Sequence, residues 1–252
     1  MPKINVYLPD DLAAAVREAR LSVSPICQMA LAEAVRVVGA AREAVEYLRD
    51  PGFDPRQHPQ ISARVAAQMT PRLREALHRA RGLVGPDGLV HTKHLLAGVI
   101  DVPGNMGVHV LQSLDVDVAA LREAAAPPWP GAEEPPGTRE GRDFELLAGL
   151  SATARLAIAA TLEAAIELGH TYLGCEHLVL ALAGQADGAA GELLRGAGVK
   201  AESVRRAIPA AVAGAALGYR NAVQMFAPAG NRLDDITRRL DELEQRVAAG
   251  GL

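Results

Sequence analysis

LGHTYLGCEHLVL, at residues 168–180, decides the fold, because a weaker copy of it lies upstream. Residues 91–97 read HTKHLLA and align with GCEHLVL at residues 174–180 at an offset of 83. The offset is 81 in front of the motif, where MTPRLR at residues 69–74 matches LSATAR at residues 150–155. A constant offset over so many positions predicts one helical unit that occurs twice.

Helical spacing explains why each copy folds in this way. Residues 157–168 carry an apolar stripe of period 3.6, and Gly169 ends that helix. Thr92 is a good N-cap for the next helix of the first copy. Cys175 is a poor N-cap in the second copy, so Glu176 is expected to take over part of the capping. The two copies together predict a mainly α, pseudo-symmetric two-repeat domain.

This pattern resembles the double-repeat N-terminal domain of the Clp chaperone ATPases, most closely the ClpC type. The resemblance lies in GHTYLGCEHL at residues 169–178, in GAGV at residues 196–199, and in Val204 and Arg205. It covers about residues 66–126 and 148–208. The first copy departs from the family, because GPDG at residues 85–88 replaces the family's loop and Lys93 stands where the family has glutamate.

The motif that a Clp ATPase needs for nucleotide is missing. A phosphate-binding loop has the pattern GxxxxGK[ST], and the chain contains no Gly-Lys dipeptide. No nucleophile elbow is present either. His91 and His94 lack a further ligand for a metal, and Glu176 and His177 are adjacent, so they are expected to point apart on a helix. We therefore expect a binding protein without catalytic residues, metal or cofactor.

Composition agrees with a compact helical protein. Apolar residues make up 49% of the chain and aromatic residues only 3%, which favours helices over a β-sandwich. The net charge of −4 limits any nucleic-acid contact to a local surface. Charged residues interrupt the first twenty positions, so we expect no signal peptide, no membrane contact and a cytoplasmic location.

The N-terminus predicts a second module over residues 1–48. KINVYL at residues 3–8 alternates polar and apolar side chains, as in a strand, and two helices follow. Ser24 is predicted to cap the second helix, with Pro25 at its first position. One strand and two helices resemble the ribbon-helix-helix DNA-binding proteins, in which two chains pair their strands.

The ribbon-helix-helix resemblance implies a DNA-binding set. Lys3, Asn5 and Tyr7 would face base edges of an operator, and the amides beside Ser24 would hold a phosphate. Residues 1–40 of this module carry as many acidic as basic residues. An alternative is therefore a dimerisation module without DNA contact. Either version makes the protein a homo-oligomer, at least a dimer.

The remaining segments complete the predicted domain map. Residues 49–65 form a linker rich in Pro and Gly, residues 66–126 the first repeat, and residues 127–147 a Pro-rich linker. Residues 148–212 form the second repeat. Residues 213–252 carry helices with a coiled-coil-like spacing, which pair between chains or dock on their own chain.

The Clp resemblance also implies ligands. ClpC-type domains receive adaptors and substrates, recognise phosphorylated arginine through two glutamates, and dock cyclic peptide antibiotics. Glu176 keeps one of those glutamates, whereas Lys93 replaces the other. The positions that match the cyclic-peptide groove are Met69, Arg74, His78 and Arg81 in the first repeat and Leu150 and Arg155 in the second.

Two functions are consistent with these features. The first is a non-enzymatic, DNA-binding transcriptional regulator, with autoregulation included, whose Clp-like domain binds a peptide or a cyclic peptide antibiotic. The second is an adaptor or decoy that works with Clp ATPase or protease components, or with their substrates, without binding DNA.

Overall fold

The computed structural model describes residues 4–84, 88–126 and 146–225, with side chains up to residue 215. Within these ranges the regular structure is helical, apart from two isolated β-bridges. The helices are α1 Asp10–Glu18, α2 Val23–Arg49, α3 Pro59–Gln68, α4 Pro71–Gly82, α5 Thr92–Asp101, α6 Met106–Ser113, α7 Val118–Ala125, α8 Ala152–Glu167, α9 Cys175–Gly184, α10 Ala189–Gly196 and α11 Ala201–Met225. The chain divides into two compact units, Met1–Val204 and Arg205–Leu252.

The predicted internal repeat is confirmed helix by helix. The helices α5, α6 and α7 begin at residues 92, 106 and 118, and α9, α10 and α11 begin 83 residues later, at 175, 189 and 201. The helices α4 and α8 begin 81 residues apart, at 71 and 152. Both offsets are those of the sequence, so the mainly α two-repeat fold is as predicted.

Two short backbone bridges join the repeats in a symmetric way. Met69 pairs with Leu173, and Val90 pairs with Leu150, in parallel bridges. The Leu173 amide donates to the Gln68 carbonyl at 2.7 Å, and the Val90 amide donates to the Gly149 carbonyl at 2.8 Å. Each bridge links the entry of one repeat's first helix to the entry of the other repeat's second helix. Backbone hydrogen bonds therefore join the two repeats at two equivalent places.

The N-termini of α5 and α9 also contact the opposite repeat. A Cβ on Gly107 of α6 would lie 2.9 Å from the Cys175 carbonyl oxygen, so only glycine fits there. At the equivalent place, the Ala190 amide donates to Thr92 Oγ1 at 3.3 Å. Thr92 was expected to be an N-cap, but the N-cap of α5 is His91. The hydroxyl of Thr92 instead satisfies a donor of the other repeat.

The second half of α2 is part of the repeat domain's core. Ala41, Ala44, Val45 and Leu48 are buried, and α2 packs on α8. The Arg49 guanidinium pairs with the Glu163 carboxylate at 2.7 Å. The predicted boundary at residue 48 therefore does not separate two independent modules.

The predicted linker over residues 49–65 is only partly a linker. Phe53 is buried and lies against the rings of Tyr47 and His58, at centroid distances of 5.8 and 5.5 Å. Residues from Pro59 onward form α3, whose Ile61 and Val65 are buried. Apolar side chains that pack, rather than Pro and Gly content, decide the structure here. In the other linker, 127–147, only Leu146 and Leu147 are described, and both are buried.

The N-terminal segment, unlike residues 53–65, has mostly exposed side chains. Helix α1 has no buried residue, and residues 4–9 form no strand in the described chain, so the ribbon is not confirmed. Helix α2 begins at Val23 after the N-cap Ser22, two residues before the predicted cap Ser24. The two helices follow as predicted. The apolar side chains of α1 and of the first half of α2 stay exposed within the described chain.

The C-terminal part of the described chain is one long helix. Helix α11 runs through Pro209 without a break, so the boundary predicted after residue 212 falls inside one helix. The coiled-coil-like segment after residue 225 lies outside the described residues.

Among the described helices, α2 alone is long and apolar enough to cross a membrane by length and composition. Its second half packs on α8, which is the behaviour of a helix in a globular domain.

Candidate functional site

A histidine side chain caps the N-terminus of the second helix in both repeats. His177 Nδ1 accepts a hydrogen bond from the Gly174 amide at 2.9 Å, and His94 Nδ1 accepts one from the His91 amide at 2.8 Å. This is the role of the glutamate in a capping box. The capping that was expected from Glu176 is therefore made by His177.

Burial keeps both capping histidines neutral. Removal from water, followed by the charges of Lys93 and His91, lowers the pKa of His94 to about 4. Removal from water, followed by the charge of His170, lowers the pKa of His177 to about 4. Nδ1 can accept a hydrogen bond only while it is unprotonated, so the lowered pKa values and the hydrogen bonds agree.

Glu176 is a buried carboxyl group beside this cap. Its residue is 2% exposed, and burial raises its pKa above the ordinary value. The Tyr172 hydroxyl hydrogen-bonds with this carboxylate. A Cβ at position 174 would overlap the Glu176 carboxylate, so Gly174 makes room for it. In the first repeat His91 is equivalent to Gly174, and Lys93 is equivalent to Glu176. Lys93 is only half-buried.

Three side chains of the second repeat approach one another closely enough to suggest a metal. The ligand atoms of His170, Glu176 and His177 lie within 4.8 Å of one another. The nearest Glu176 oxygen is 3.5 Å from His177 Nδ1. The expectation that adjacent helical residues cannot meet at one point is therefore wrong for Glu176 and His177.

The proton positions nevertheless argue against a metal at this cluster. His177 Nδ1 accepts from Gly174, so the proton of the neutral ring is on Nε2, and Nε2 donates to His170 Nδ1 at 2.8 Å. Both nitrogens of His177 are thus occupied by hydrogen bonds, and neither offers a lone pair to a metal. The cluster is a hydrogen-bond network that fixes the start of α9.

The two arginines of the predicted peptide groove make structural contacts. The Arg74 guanidinium donates to the Ala66 carbonyl at 2.7 Å. The equivalent Arg155 donates to the Asp50 carbonyl at 2.7 Å and approaches the Phe53 carbonyl at 3.4 Å. Asp50 is the C-cap of α2, where a cation is favourable for the helix dipole. Arg155 thus holds the α2–α3 connection on the second repeat.

The other predicted groove residues are spread around the repeat junctions. Met69 is buried and Leu150 is half-buried, each at one of the two bridges. Arg81 donates to the Gly88 carbonyl at 2.7 Å, and His78 is half-buried on α4. The ligand role of these residues stays a prediction.

The predicted DNA-binding residues that are described lie at the surface. Asn5 and Ser24 are exposed, and Tyr7 is 92% exposed. Lys3 lies outside the described residues. The structure leaves these side chains accessible to a partner.

A cleft that sequence analysis missed lies between α7, α10 and the start of α5. Its volume is about 650 Å³, and the charged residues of its lining are Lys93, Asp115, Asp117 and Glu192. The apolar part of the lining comes from Val116, Ala120, Leu121, Ala124, Ala189, Leu193 and Ala197. No motif marks this cleft, because it depends on how helices from different repeats approach each other.

Comparison with known proteins supports the repeat architecture. Residues 149–247 match the family of the Clp repeat (R) N-terminal domain. The matched range contains the second repeat and leaves the divergent first repeat outside. Three uncharacterized proteins, one from Mycobacterium bovis and two from strains of Mycobacterium tuberculosis, are each 34% identical over 123 residues. The aligned part covers 48% of this chain and 45% of each relative, so the chain spans about half the length of these curated relatives.

The fold and the His-capped motif define a helical double-repeat protein. Its second repeat lies in the range that is similar to the Clp repeat (R) N-terminal domain. Domains of this family are generally protein-interaction domains of the Clp system.

Proposed function

We propose that the protein is a non-enzymatic regulator that binds operator DNA as a dimer and binds a peptide through its Clp N-terminal domain. The N-terminal segment supplies the dimer contact and the DNA-binding residues. The repeat domain supplies the peptide-binding surface. The protein acts in the cytoplasm, without catalytic residues or a cofactor.

The distribution of exposed apolar side chains carries this proposal. Among the described residues, twelve large apolar side chains are exposed, and only Leu89 and Leu156 lie outside residues 4–35. The other ten are Ile4, Val6, Tyr7, Leu12, Leu21, Val23, Ile26, Met29, Leu31 and Val35. Exposed apolar surface concentrated in one segment is typical of an interface.

The positions of these side chains favour an intertwined partner. In α2 the exposed apolar residues occur on all sides of the helix rather than along one stripe, and a helix that is apolar all round needs burial on several sides. A second copy that wraps around α1 and α2 provides such burial. The exposed ion pair of Glu33 and Arg36, at 2.6 Å, favours a protein partner over a membrane.

DNA binding follows from the pattern that precedes α1. Ile4 and Val6 alternate with Asn5 and Tyr7, so pairing of two chains would bury the first pair and leave the second pair facing outward. Two such segments form the ribbon that reads base edges in the major groove.

Peptide binding is the proposed role of the repeat domain. Glu176 keeps a carboxylate that the Clp N-type domain uses toward phosphorylated arginine, whereas Lys93 reverses the charge at the equivalent place. The raised pKa and the deep burial of Glu176 limit its use as an anionic contact. The proposed ligand is therefore a peptide, including a cyclic peptide antibiotic, rather than a peptide that carries two phosphorylated arginines.

The charge of the N-terminal segment favours a second candidate. Residues 1–40 contain four basic and four acidic side chains, which gives no net attraction to the phosphates of DNA. In that case the protein is a dimeric adaptor or decoy of the Clp system, and the exposed segment only joins two copies.

Anisotropy of a labelled duplex from the upstream region of the protein's own gene tests the choice. We expect binding by the native chain and at least a tenfold loss for Asn5→Ala and for Lys3→Ala, because these side chains read the bases. Lys200→Ala is the matched control, since it removes an exposed basic residue of the repeat domain. Equal binding by all the variants would show that the segment does not read DNA and would favour the adaptor.

A further inference from the structure

The cleft between α7 and α10 has the features of a ligand site. Its volume of about 650 Å³ lies within the usual range of about 300–1,000 Å³ for ligand pockets. Leu121 is buried at this place, and Val116 and Leu193 are half-buried, so the cleft presents apolar surface. The two helices come from different repeats, which makes the cleft a product of the double-repeat arrangement.

The charges around the cleft are unbalanced. Asp115, Asp117 and Glu192 contribute three carboxylates, and Lys93 contributes one ammonium group. All three acidic residues are exposed. Asp117 also caps α7 through the amides of Ala119 and Ala120, which fixes one of the carboxylates in place. The lining therefore carries a net charge of −2, while its remaining residues are apolar or small.

Lys93 has a particular place at this cleft. It lies in the first turn of α5, half-buried, and burial lowers its pKa. The sequence offset pairs it with Glu176, whose carboxylate is folded back over Gly174. The side chain of Lys93 lines the cleft instead. The two repeats thus present different surfaces at equivalent positions.

We propose that this cleft binds a short peptide segment with an apolar centre and basic flanks. The apolar side chains would be buried on Val116, Leu121 and Leu193, and basic side chains would meet the surrounding carboxylates. This inference rests on the peptide-binding part of the proposed function and places the peptide away from the groove that the Clp resemblance implies. It does not depend on DNA binding.

The test uses the full chain and three fluorescein-labelled peptides of one length. The first peptide has two central leucines with two arginines on each side. The second has glutamates in place of the arginines, and the third has serines in place of the leucines. We expect the first peptide to bind at least tenfold more tightly than either of the others, and to bind more weakly at high salt.

Two pairs of substitutions locate the site. Ala120→Arg places a bulky cation in the cleft and should weaken binding of the first peptide at least tenfold. Ala119→Arg makes the same change on an exposed face of α7 that does not line the cleft, and it should bind as the native chain does. Glu192→Gln should weaken binding severalfold, whereas Glu123→Gln on α7 should not. Circular dichroism checks that each variant is folded.

The outcomes separate this inference from the proposed function. If Ala120→Arg binds like the native chain while Leu150→Glu abolishes binding, the peptide lies in the predicted groove and this inference is overturned. If no peptide binds at millimolar concentration, or if the glutamate peptide binds equally well, the inference also fails. A change in the mass of Ala120→Arg in solution would show that a second copy occupies the cleft instead. Peptide binding that Ala120→Arg removes, in a chain that does not bind DNA, would support the inference alone.

Discussion

The two halves of α2 lie in opposite environments although they belong to one continuous helix. The second half buries Ala41 and Leu48 against the repeat domain, whereas the first half exposes Met29 and Val35. Both halves are comparably apolar in sequence, so composition does not separate them. The comparison shows that the second half of α2 is covered by its own chain, whereas the apolar side chains of the first half stay exposed within the described residues.

The largest effect should come from the buried half. Leu48 is 0% exposed, so Leu48→Ala should lower the free energy of unfolding by about 2–5 kcal/mol through lost burial and a cavity. Leu31→Ala, in the exposed half of the same helix, removes no burial within its own chain, so at a concentration where the protein is a single chain it should change the free energy of unfolding by less than about 0.5 kcal/mol. Urea unfolding of both variants measures the difference. Similar losses at the two positions would mean that α2 is not divided in this way.

The capping histidines give a smaller and pH-dependent effect. The pKa of His177 is about 4 in the folded protein and about 6.5 when the chain is unfolded, so the unfolded state takes up the proton first. The stability contributed by the neutral ring is therefore complete above about pH 6.5 and is lost as the pH falls toward 4. The raised pKa of Glu176 acts in the opposite direction, since its contribution is lost as the pH rises.

His177→Gln isolates the histidine part of this pH dependence. Glutamine can still accept the Gly174 hydrogen bond, as in a capping box, but it does not titrate. Between pH 6.5 and 4 the variant should lose less stability than the native chain, by up to roughly 3 kcal/mol. His109→Gln, at an exposed position of α6, should follow the native curve. Parallel curves for His177→Gln and the native chain would contradict the neutral, buried ring.

The sequence predicts the repeat domain well for a physical reason. Two copies of one helical unit carry the same apolar spacing, and the constant offset reveals them before any contact is known. The capping pair also recurs, although the capping side chain is His177 and not Glu176. The signal is local in each case, because spacing and caps act within a few residues of one helix.

The features that sequence analysis missed depend on contacts between distant residues. Arg155 binds the Asp50 carbonyl 105 positions away, so nothing local marks it as a structural contact. The helix α3 begins with Pro59 and has modest apolar content, and it packs on α2. The α7–α10 cleft likewise exists only because helices from two repeats meet.

The mass of the native chain in solution tests the central claim most directly. Sedimentation equilibrium at micromolar concentration should give a dimer, twice the chain mass of 26.4 kDa. Met29→Glu and Val35→Glu, at positions 67% and 72% exposed in the single chain, should shift the mass toward one chain, because a charge would be buried at the interface. Leu156→Glu, at an exposed apolar position on α8, should remain dimeric. A native mass of one chain, or dimers in all three variants, would contradict the account.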